Sequence, residues 1–374
     1  MRTRIAVFIL VIQSILFLAH WFVYQTWVTF WGKLSFWGTT NFAHGALQIA
    51  VVLLSISFVS ASVLAFFYSN VLVRLFYKIA AVWLGVFSFF LLAACASWVV
   101  AGAVSVLGLH WERRPIVATL FGMAILVSLY GMINAAWTRV TQISVTLPNL
   151  PESWRGRVAA LVSDTHLGHI RNYGFVRRIV GMLARLQPDL VFIGGDMYDG
   201  TSADLHRLAE PWGKLAAPLG TYFVAGNHDG FGGHARHIEA VEKSGIRVLN
   251  NEKVIVDGVQ IVGVHYHDSV NEQRFRSILR GVDLDRDQAS ILLTHVPNRL
   301  PIAEEEGIGL SLSGHTHGGQ FFPYTWIVSR IWGQASYGLK RLGNLLFYTS
   351  SGAGTWGPPM RVGTTPEIVL IRFE

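Results

Sequence analysis

Five short polar clusters contain the residues of this chain whose types and spacing could do chemistry. They are SDTHLG from Ser163, GGDMYDG from Gly194, GNHDG from Gly226, THVPN from Thr294 and SGHTHGGQ from Ser313. Carboxylate, imidazole and amide groups form the mixed oxygen and nitrogen shells that suit zinc, iron and manganese. The clusters can therefore supply seven protein ligands to a two-metal hydrolytic centre, namely Asp164, His166, Asp196, Asn227, His295, His315 and His317.

Each cluster follows a short apolar run rich in β-favouring residues: VAALV, LVFI, TYFVA, SILL and IGLSL. Such runs, bounded by Gly and Asn turns, predict buried strands. Open α/β sheets place their functional sites beyond the carboxyl ends of the strands. We therefore expect the polar clusters to meet at one edge of a sheet.

The residue types indicate how the metal ligands would divide. Asp164 and His166 are separated by one residue where a strand leaves the sheet, so both side chains can turn toward one ion. Asp196 ends the next strand, and its two carboxylate oxygens can bridge two ions. Two ions about 3.5 to 4 Å apart can acidify a water between them and neutralise charge on a phosphoryl oxygen. Hydrolysis of a phosphate ester is the reaction that this arrangement suits best.

In their order along the chain, the clusters resemble the motifs of the calcineurin-like metallophosphoesterases: D-x-H, G-D-x-x-D, G-N-H-[DE], a lone His and G-H-x-H. The resemblance covers roughly residues 155–374 and implies two divalent ions, with manganese, zinc and iron as candidates. It implies a first metal site made of Asp164, His166, Asp196 and His317. It implies a second metal site made of Asp196, Asn227, His295 and His315, so that Asp196 would be the bridge.

The resemblance also implies catalytic roles for His228 and Asp199. His228 would contact the phosphoryl group or protonate the leaving oxygen, and Asp199 would be its hydrogen-bonded orienting partner. Two alternatives stay open: His228 could be purely structural, and Asp199 could cap a helix that begins around Ser202. The implied fold is α/β, a four-layer αββα sandwich of two packed sheets flanked by helices. The THGGQ and SSGAGTWGPP stretches look most like the bacterial branch that is often tethered to membranes.

Other residues give weaker signals. His265 and His267 would share a face if GVHYHD continues a strand, which allows a third metal site, although an exposed strand end explains them as well. Three more histidines follow the motif loops and either line the cleft or lie on the surface: His169, His234 and His237. The segment TSSGAGTWGPPMR either cradles phosphate through backbone N–H groups or forms a tight turn, and its candidates are Gly352, Gly354 and Arg361.

The front of the chain is apolar. Its four apolar stretches are each near the roughly 20 residues that a helix needs to cross the hydrocarbon layer, and they run about Ile5 to Phe22, Leu47 to Phe67, Ile79 to Val100 and Ile116 to Trp137. Aromatic residues near their ends indicate interfacial belts: Trp21, Tyr24, Trp27, Trp31, Trp37 and Trp137. We expect about four transmembrane helices in a bundle over residues 1–140, a linker over 141–156, and the phosphoesterase domain over 157–374.

Charge differs between the two parts. Eight of the 30 Lys and Arg residues precede residue 150, but only one of the 23 acidic residues does. The second part is balanced, so the basic character belongs to the apolar part and no nucleic-acid binding is expected. With four spans and the N-terminus inside, one side receives Arg2, Arg4, Arg74, Lys78, Arg139, Arg155 and Arg157. The other side receives Lys33, Arg113 and Arg114.

This seven-to-three bias predicts that the multi-pass protein has its catalytic domain in the cytoplasm. The resemblance to the bacterial branch implies a bacterial inner membrane. The prediction depends on an even number of helices. The membrane tether favours a phosphate-ester substrate with a lipid part, such as a phospholipid or a lipid-linked pyrophosphate. Two alternatives stay open: an anchored phosphoprotein or cyclic-nucleotide phosphatase, and a non-enzymatic membrane scaffold.

Overall fold

The computed structural model describes residues 2–31, 40–108, 112–231 and 233–374, with backbone alone for 2–6, 8, 31 and 40–44. Lys33 and Trp37, and the side chain of Trp31, therefore lie outside the described residues. The chain divides into two compact units. The first is Met1–Ile133 with Gly357–Met360, and the second is Asn134–Trp356 with Arg361–Glu374.

The first unit is built from long apolar helices. In the described residues these are α1 (Arg2–Trp31), α2 (Thr40–Phe67), α3 (Val71–Val106) and α4 (Arg113–Ala136). Each contains a segment long and apolar enough to cross a membrane, with mean hydropathy between 1.5 and 2.5. The four predicted apolar helices are therefore confirmed. They are longer than the apolar stretches, because the helical backbone continues through polar residues at their ends, as at Thr40 and Arg113.

Polar side chains join these helices at several positions. The indole N–H of Trp98 donates to Thr26 Oγ1 at 2.9 Å, and that of Trp83 donates to His20 Nε2 at 3.0 Å. Such bonds join helices that otherwise pack through apolar and small side chains.

The second unit contains two six-stranded sheets. The first sheet has the order β1-β12-β2-β3-β4-β5, with strands β1 (Arg139–Val145), β2 (Val158–Val162), β3 (Leu190–Ile193), β4 (Thr221–Phe223), β5 (Arg247–Val248) and β12 (Glu367–Phe373). The strands β2 to β5 are parallel, β12 runs antiparallel to β2, and β1 pairs with β12 in parallel. The segment that follows the last apolar helix is thus an edge strand of this sheet.

The second sheet has the order β10-β11-β9-β8-β7-β6. Its strands are β6 (Glu252–Val256), β7 (Val259–Val264), β8 (Ser290–Thr294), β9 (Leu310–Ser313), β10 (Gly338–Leu342) and β11 (Leu345–Thr349). The four central strands are parallel, and an antiparallel strand closes each edge. Both sheets therefore turn the carboxyl ends of parallel strands toward loops that can carry a site.

The two sheets pack face to face. On β2, Ala159 and Leu161 point into a core shared with Ile291 and Leu312 of the second sheet. The alternate residues of β2 point away from this core, because successive strand side chains face opposite ways. They pack under α5 (Tyr173–Leu186), α6 (Leu205–Ala209) and α7 (His234–Lys243).

The outer face of the second sheet is covered by α9 (Glu272–Gly281) and α10 (Leu300–Glu305) through a third apolar cluster. The predicted αββα sandwich is confirmed. Two further helices complete the unit: α8 (Tyr266–Ser269) and α11 (Tyr324–Trp332).

Two local expectations differ from the structure. GVHYHD does not continue as a strand: β7 ends at Val264 and α8 follows, because the Nδ1 atom of His265 accepts the backbone N–H of His267 and turns the chain. The helix expected around Ser202 begins at Leu205, with Asp204 as its N-cap.

Candidate metal centre

The seven predicted ligands lie in loops that follow parallel strands. The loops after β2, β3 and β4 belong to the first sheet and carry Asp164, His166, Asp196 and Asn227. Those after β8 and β9 belong to the second sheet and carry His295, His315 and His317. The expectation of one sheet edge was therefore too simple, because the packed sheets bring two edges together.

Four of the side chains form one tight group. Asn227 Oδ1 lies 3.0 Å from His315 Nδ1 and 3.2 Å from His295 Nε2. The two imidazole nitrogens are 3.2 Å apart, and Asp196 Oδ2 lies 3.2 Å from His295 Nε2. These donor atoms all point toward a common centre.

A second group lies beside Asp196. The Nε2 atoms of His166 and His317 are 3.0 Å apart. Asp164 Oδ1 lies 3.5 Å from His317 Nε2 and 4.0 Å from His166 Nε2, while Asp196 Oδ2 lies 3.8 Å from the latter. All these residues are buried. Within the described residues, the other ring nitrogen of His166 has no hydrogen-bond partner.

The donor sets fit divalent metal ions. Around an ion with bonds of about 2.0 to 2.2 Å, neighbouring ligand atoms lie about 3.0 to 3.5 Å apart, which matches most of these separations. Candidate sets whose ligand atoms all lie within 4.8 Å of one another are Asp164, His166 and His317; His166, Asp196 and His228; and Asp196, His295 and His315. Two ions that share Asp196 would use all the predicted ligands.

The electrostatics of the site also suit metal binding. Burial lowers the pKa of His315 to about 3, and it holds the pKa values of His166 and His317 well below the usual range. Burial opposes ionisation of Asp196, but nearby imidazoles, chiefly that of His295, outweigh it and lower its pKa. Neutral imidazole and ionised carboxylate are the forms that bind metal.

The pKa values of the other two ionisable ligands, Asp164 and His295, are raised instead of lowered. Burial raises the pKa of Asp164 to about 6. Burial would lower the pKa of His295, but the neighbouring carboxylate of Asp196 raises it to about 10. A divalent ion would displace the proton from each, since a metal ligand must offer a lone pair.

The backbone is strained at five of the seven predicted ligands. Their φ angles are positive, at 53° for Asp164, 46° for His166, 48° for Asp196, 71° for His315 and 50° for His317. Non-glycine residues rarely adopt this left-handed conformation, and such strain is concentrated at functional sites. It is held by backbone hydrogen bonds between the motif loops, such as Asp164 N–H to Gly195 O at 3.0 Å and His166 N–H to Asp196 O at 3.1 Å.

Two glycines allow the loops to approach the carboxylates closely. A Cβ atom on Gly226 would lie 2.1 Å from Asp196 Oδ1, and one on Gly314 would lie 2.1 Å from Asp164 Oδ2. Both distances are far shorter than a van der Waals contact. The GNH and GHTH motifs therefore need glycine at these positions, because any larger residue would collide with the carboxylate of Asp196 or Asp164.

His228 lies beside the shared carboxylate. Its backbone N–H donates to Asp196 Oδ1 at 2.8 Å, and its ring packs edge-on against that of His166 with centroids 4.9 Å apart. Its Nδ1 atom donates to the backbone carbonyl of Asp199 at 3.0 Å. A carbonyl oxygen can only accept, so Nδ1 carries a proton and Nε2 is left for chemistry.

The contact between His228 and Asp199 is thus made by the main chain of Asp199. The carboxylate of Asp199 instead accepts from Thr201 Oγ1 at 3.5 Å. It is buried, and this burial raises its pKa to about 7. It does not cap a helix, because α6 starts later and is capped by Asp204.

The glycine-rich C-terminal segment forms a buried anchor. Arg361 is fully buried and donates to the carbonyl oxygens of Ser351 and Gly354, both at 2.7 Å, and of His317 at 2.8 Å. Its guanidinium group therefore holds the His317 loop in place through hydrogen bonds. These bonds favour the interpretation of this segment as a tight turn over its interpretation as a phosphate-binding cradle. No motif in the sequence points to this contact.

The remaining histidines lie outside the ligand groups that can hold an ion, as far as the structure describes the chain. His237 donates from Nδ1 to Gly233 O at 3.0 Å, and the Nδ1 atom of His169 is 3.0 Å from Thr201 Oγ1. The rings of His234 and His265 are 4.7 Å apart, and those of His265 and His267 are 5.4 Å apart. These three form an imidazole cluster, but it gives no support for a third metal site.

Sequence reasoning missed the aromatic rim of the site. The rings of Phe231 and Trp356 lie 5.0 and 5.6 Å from that of His228. Tyr266 lies 6.1 Å from His295, and Trp332 lies 5.9 Å from His315. Phe231 follows the GNHDG motif directly, and Tyr266 and Trp356 lie inside segments that the histidines and glycines already marked, whereas no sequence signal points to Trp332.

Comparisons with known proteins agree with the motifs. Residues 158–319 match the family described as Calcineurin-like phosphoesterase. An uncharacterized metallophosphoesterase of Campylobacter jejuni is 30% identical over 275 residues, which cover 72% of this chain and 71% of that protein. An uncharacterized metallophosphoesterase of Aquifex aeolicus is 30% identical over 257 residues, covering 67% of this chain and 98% of its own length.

The name of a further relative mentions both a transmembrane protein and a metallophosphoesterase domain. A transmembrane protein with metallophosphoesterase domain from Danio rerio is 33% identical over 278 residues, covering 69% of this chain. The match spans 62% of the length of that relative.

We predict that Gly314→Ala weakens metal binding while the fold is kept. The added methyl group would collide with both Ser163 Oγ at 2.0 Å and Asp164 Oδ2 at 2.1 Å, so the Asp164 carboxylate must move. Moving a ligand in this way should cost about 10 to 100-fold in metal affinity. Elemental analysis after dialysis against a graded chelator would measure the loss, and circular dichroism would monitor the fold. Gly281→Ala is the matched control, because a Cβ atom there meets nothing within 4 Å. Equal metal affinity in the two variants would contradict the close-approach argument.

Proposed function

Because the chain belongs to the calcineurin-like metallophosphoesterases, we propose that its second unit is a phosphoric ester hydrolase that uses two divalent ions. One observation carries this proposal: the buried carboxylate of Asp196 lies between the two groups of predicted ligands, with its Oδ2 atom 3.8 Å from His166 Nε2 and 3.2 Å from His295 Nε2. The mixed imidazole, carboxylate and amide set suits manganese, zinc or iron.

The distances between the ligand atoms support a division of the ligands between two ions. One ion would be held by Asp164, His166, Asp196 and His317, and the other by Asp196, Asn227, His295 and His315. Bound there, the ions would supply an acidified water and offset negative charge on a phosphoryl oxygen. The protein contributes the fixed positions of the ligands, which the strained loops and their backbone hydrogen bonds maintain.

We assign proton transfer and phosphoryl contact to His228. The Asp199 carbonyl fixes its Nδ1–H, so Nε2 is the atom that can meet the substrate. One ring nitrogen of His228 lies within 4.8 Å of the donor atoms of His166 and Asp196. A protonated Nε2 would give its proton to the leaving oxygen, and the same N–H would stabilise charge on the phosphoryl group before that transfer. The rings of Phe231 and Trp356 restrict the movement of the imidazole.

We further propose that the first unit anchors the enzyme in a membrane as a multi-pass bundle. The four apolar helices and the membrane character named for the Danio rerio relative support this. The basic residues assigned to one side outnumber those on the other by seven to three, which supports a cytoplasmic catalytic unit in a bacterial inner membrane. An anchored enzyme meets lipid-borne phosphoesters at high local concentration. A phosphodiester, pyrophosphate or phosphomonoester with a lipid part is therefore the proposed substrate.

We predict that His228→Ala separates metal binding from chemistry. The variant removes no proposed ligand, so about two ions per chain should remain while turnover falls by about 10² to 10⁴-fold, the usual effect of losing a general acid or base. Metal analysis and hydrolysis of a phosphodiester in lipid nanodiscs would measure the two quantities.

His206→Ala, at an exposed position on α6, is the control and should change neither quantity. If His228→Ala instead released both ions, His228 would be a ligand and its assigned role would be wrong.

The proposed orientation predicts which residues a membrane-impermeant thiol reagent reaches in intact cells. In a Cys95→Ala background, cysteine at Arg113 or Lys33 should react, and cysteine at Arg74 should not. A fluorescent protein fused after Glu374, active only in the cytoplasm, should be bright. The reverse labelling pattern together with a dark fusion would place the catalytic unit outside the cytoplasm.

A further inference from the structure

The helix α11 (Tyr324–Trp332) is amphipathic and has no buried residue. Ile331 is 71% exposed and Trp326 is 57% exposed, and the other large exposed apolar side chains on or next to the helix are Phe322, Tyr324 and Ile327. Contiguous apolar surface of this kind marks a site of interaction with a protein, a ligand or a membrane. We call the side chains Phe322, Tyr324, Trp326, Ile327 and Ile331 the α11 apolar surface.

The two faces of α11 differ. Thr325, Val328 and Trp332 are spaced three and four residues apart and are partly buried, so they form the face that rests on the catalytic unit. Trp326, Ile327 and Ile331 occupy the opposite face and are exposed. A helix that needed only to pack on the protein would carry polar residues on that opposite face.

The sequence around α11 carries charge of one sign. Residues 307–366 contain no Asp or Glu. Three basic residues of this stretch are exposed: Arg330 on α11 itself, and Lys340 and Arg341 on β10, the next strand along the chain. The guanidinium of Arg330 lies over the Trp326 ring, 5.4 Å from its centroid. Apolar and aromatic side chains beside basic ones are the composition of helices that lie in the interface of an anionic membrane.

We propose that α11 lies in the headgroup layer of an anionic lipid bilayer. Its apolar surface would enter the boundary between headgroups and acyl chains, and Arg330, Lys340 and Arg341 would contact lipid phosphates. A bilayer is favoured over a second protein as the partner, because the described residues of the same chain include four helices apolar enough to span a bilayer. The complementary charge of the basic residues points to anionic lipid.

The position of α11 links this surface to the metal centre. Trp332, at the end of the helix, has its ring 5.9 Å from that of His315. The turn His317–Gly319 comes shortly before the helix and packs against it: a Cβ atom on Gly319 would lie 2.4 Å from the carbonyl oxygen of Tyr324. A helix seated among headgroups would therefore hold the ligand loop close to the layer that contains lipid phosphates. This consequence for the substrate rests on the proposed function, whereas the docking of α11 does not.

A fluorescent probe on single cysteines tests the docking directly. The full chain, with Cys95→Ala, would carry an environment-sensitive label at Ile331→Cys or at Ile255→Cys and be placed in nanodiscs of phosphatidylglycerol and phosphatidylcholine. Ile255 is a matched control, because it is 61% exposed but lies on β6, at the opposite edge of the second sheet from β10.

Replacing the lipids by brominated ones should quench the Ile331 probe about twofold or more, since an interfacial helix sits about 5 to 10 Å deep, and should leave the Ile255 probe unchanged. Changing Arg330, Lys340 and Arg341 together to Gln should reduce the quenching. Equal quenching at both positions would overturn the proposal, as would an Ile331 probe shielded only when the protein concentration is raised, which would indicate a second copy.

A hydrolysis measurement separates this proposal from the proposed function. Ile331→Glu should raise KM for a phosphodiester embedded in the nanodisc several-fold, without changing kcat/KM for a water-soluble phosphodiester, and Ile255→Glu should change neither. If the parent protein hydrolysed neither substrate, the proposed function would be wrong. The fluorescence result would still decide whether α11 contacts lipid. An unchanged KM in Ile331→Glu, with both substrates hydrolysed, would overturn the role of α11.

Discussion

The candidate site depends on the contacts that the buried carboxylate of Asp196 makes with the surrounding loops. One oxygen accepts the backbone N–H of His228, and the other faces His295 at 3.2 Å and His166 at 3.8 Å. A buried carboxylate is costly unless it is paired, and these contacts lower its pKa against the effect of burial. The same group thereby fixes the GNH loop and lies between His166 on one side and His295 on the other.

Strain and close packing surround this carboxylate. Asp196 itself has a left-handed backbone, as do four other predicted ligands, and a methyl group on Gly226 would collide with it. The two packed sheets supply the rigidity that such strain requires, because parallel strands end on both sides of the site. Arg361 adds a further restraint by tying the His317 loop to the C-terminal segment. These restraints fix the geometry of the donor atoms, as catalytic centres generally require.

The sequence was informative where chemistry and strand pattern coincide. Each apolar run before a motif is a strand, and the ligands occupy its carboxyl end, so residue types and order could predict the donor groups. The backbone role of Asp199 could not be predicted, because a carbonyl group carries no residue signature. The anchoring role of Arg361 depends on carbonyls from distant turns, which only the folded chain brings together. The helix α11 was missed because its apolar residues follow Pro323 in a segment that also favours strands.

A local hydrogen bond explains why the chain after β7 does not continue as a strand. The alternation of GVHYHD favours a strand, yet the His265 side chain caps the backbone of His267 and starts a helix instead. That turn places Tyr266 near His295 and His315. An aromatic residue at the rim of the centre thus arises from a local capping bond that competes with strand propensity.

The most direct test of the account is the metal content of Asp196→Asn. An asparagine keeps the size of the side chain but cannot act as an anionic bridge, so we expect at most one bound ion per chain, nearly complete loss of turnover and an unchanged fold by circular dichroism. Asp257→Asn is the matched control, because Asp257 is exposed and has a similar left-handed φ of 45°. Two bound ions and wild-type turnover in Asp196→Asn would contradict the shared-carboxylate centre.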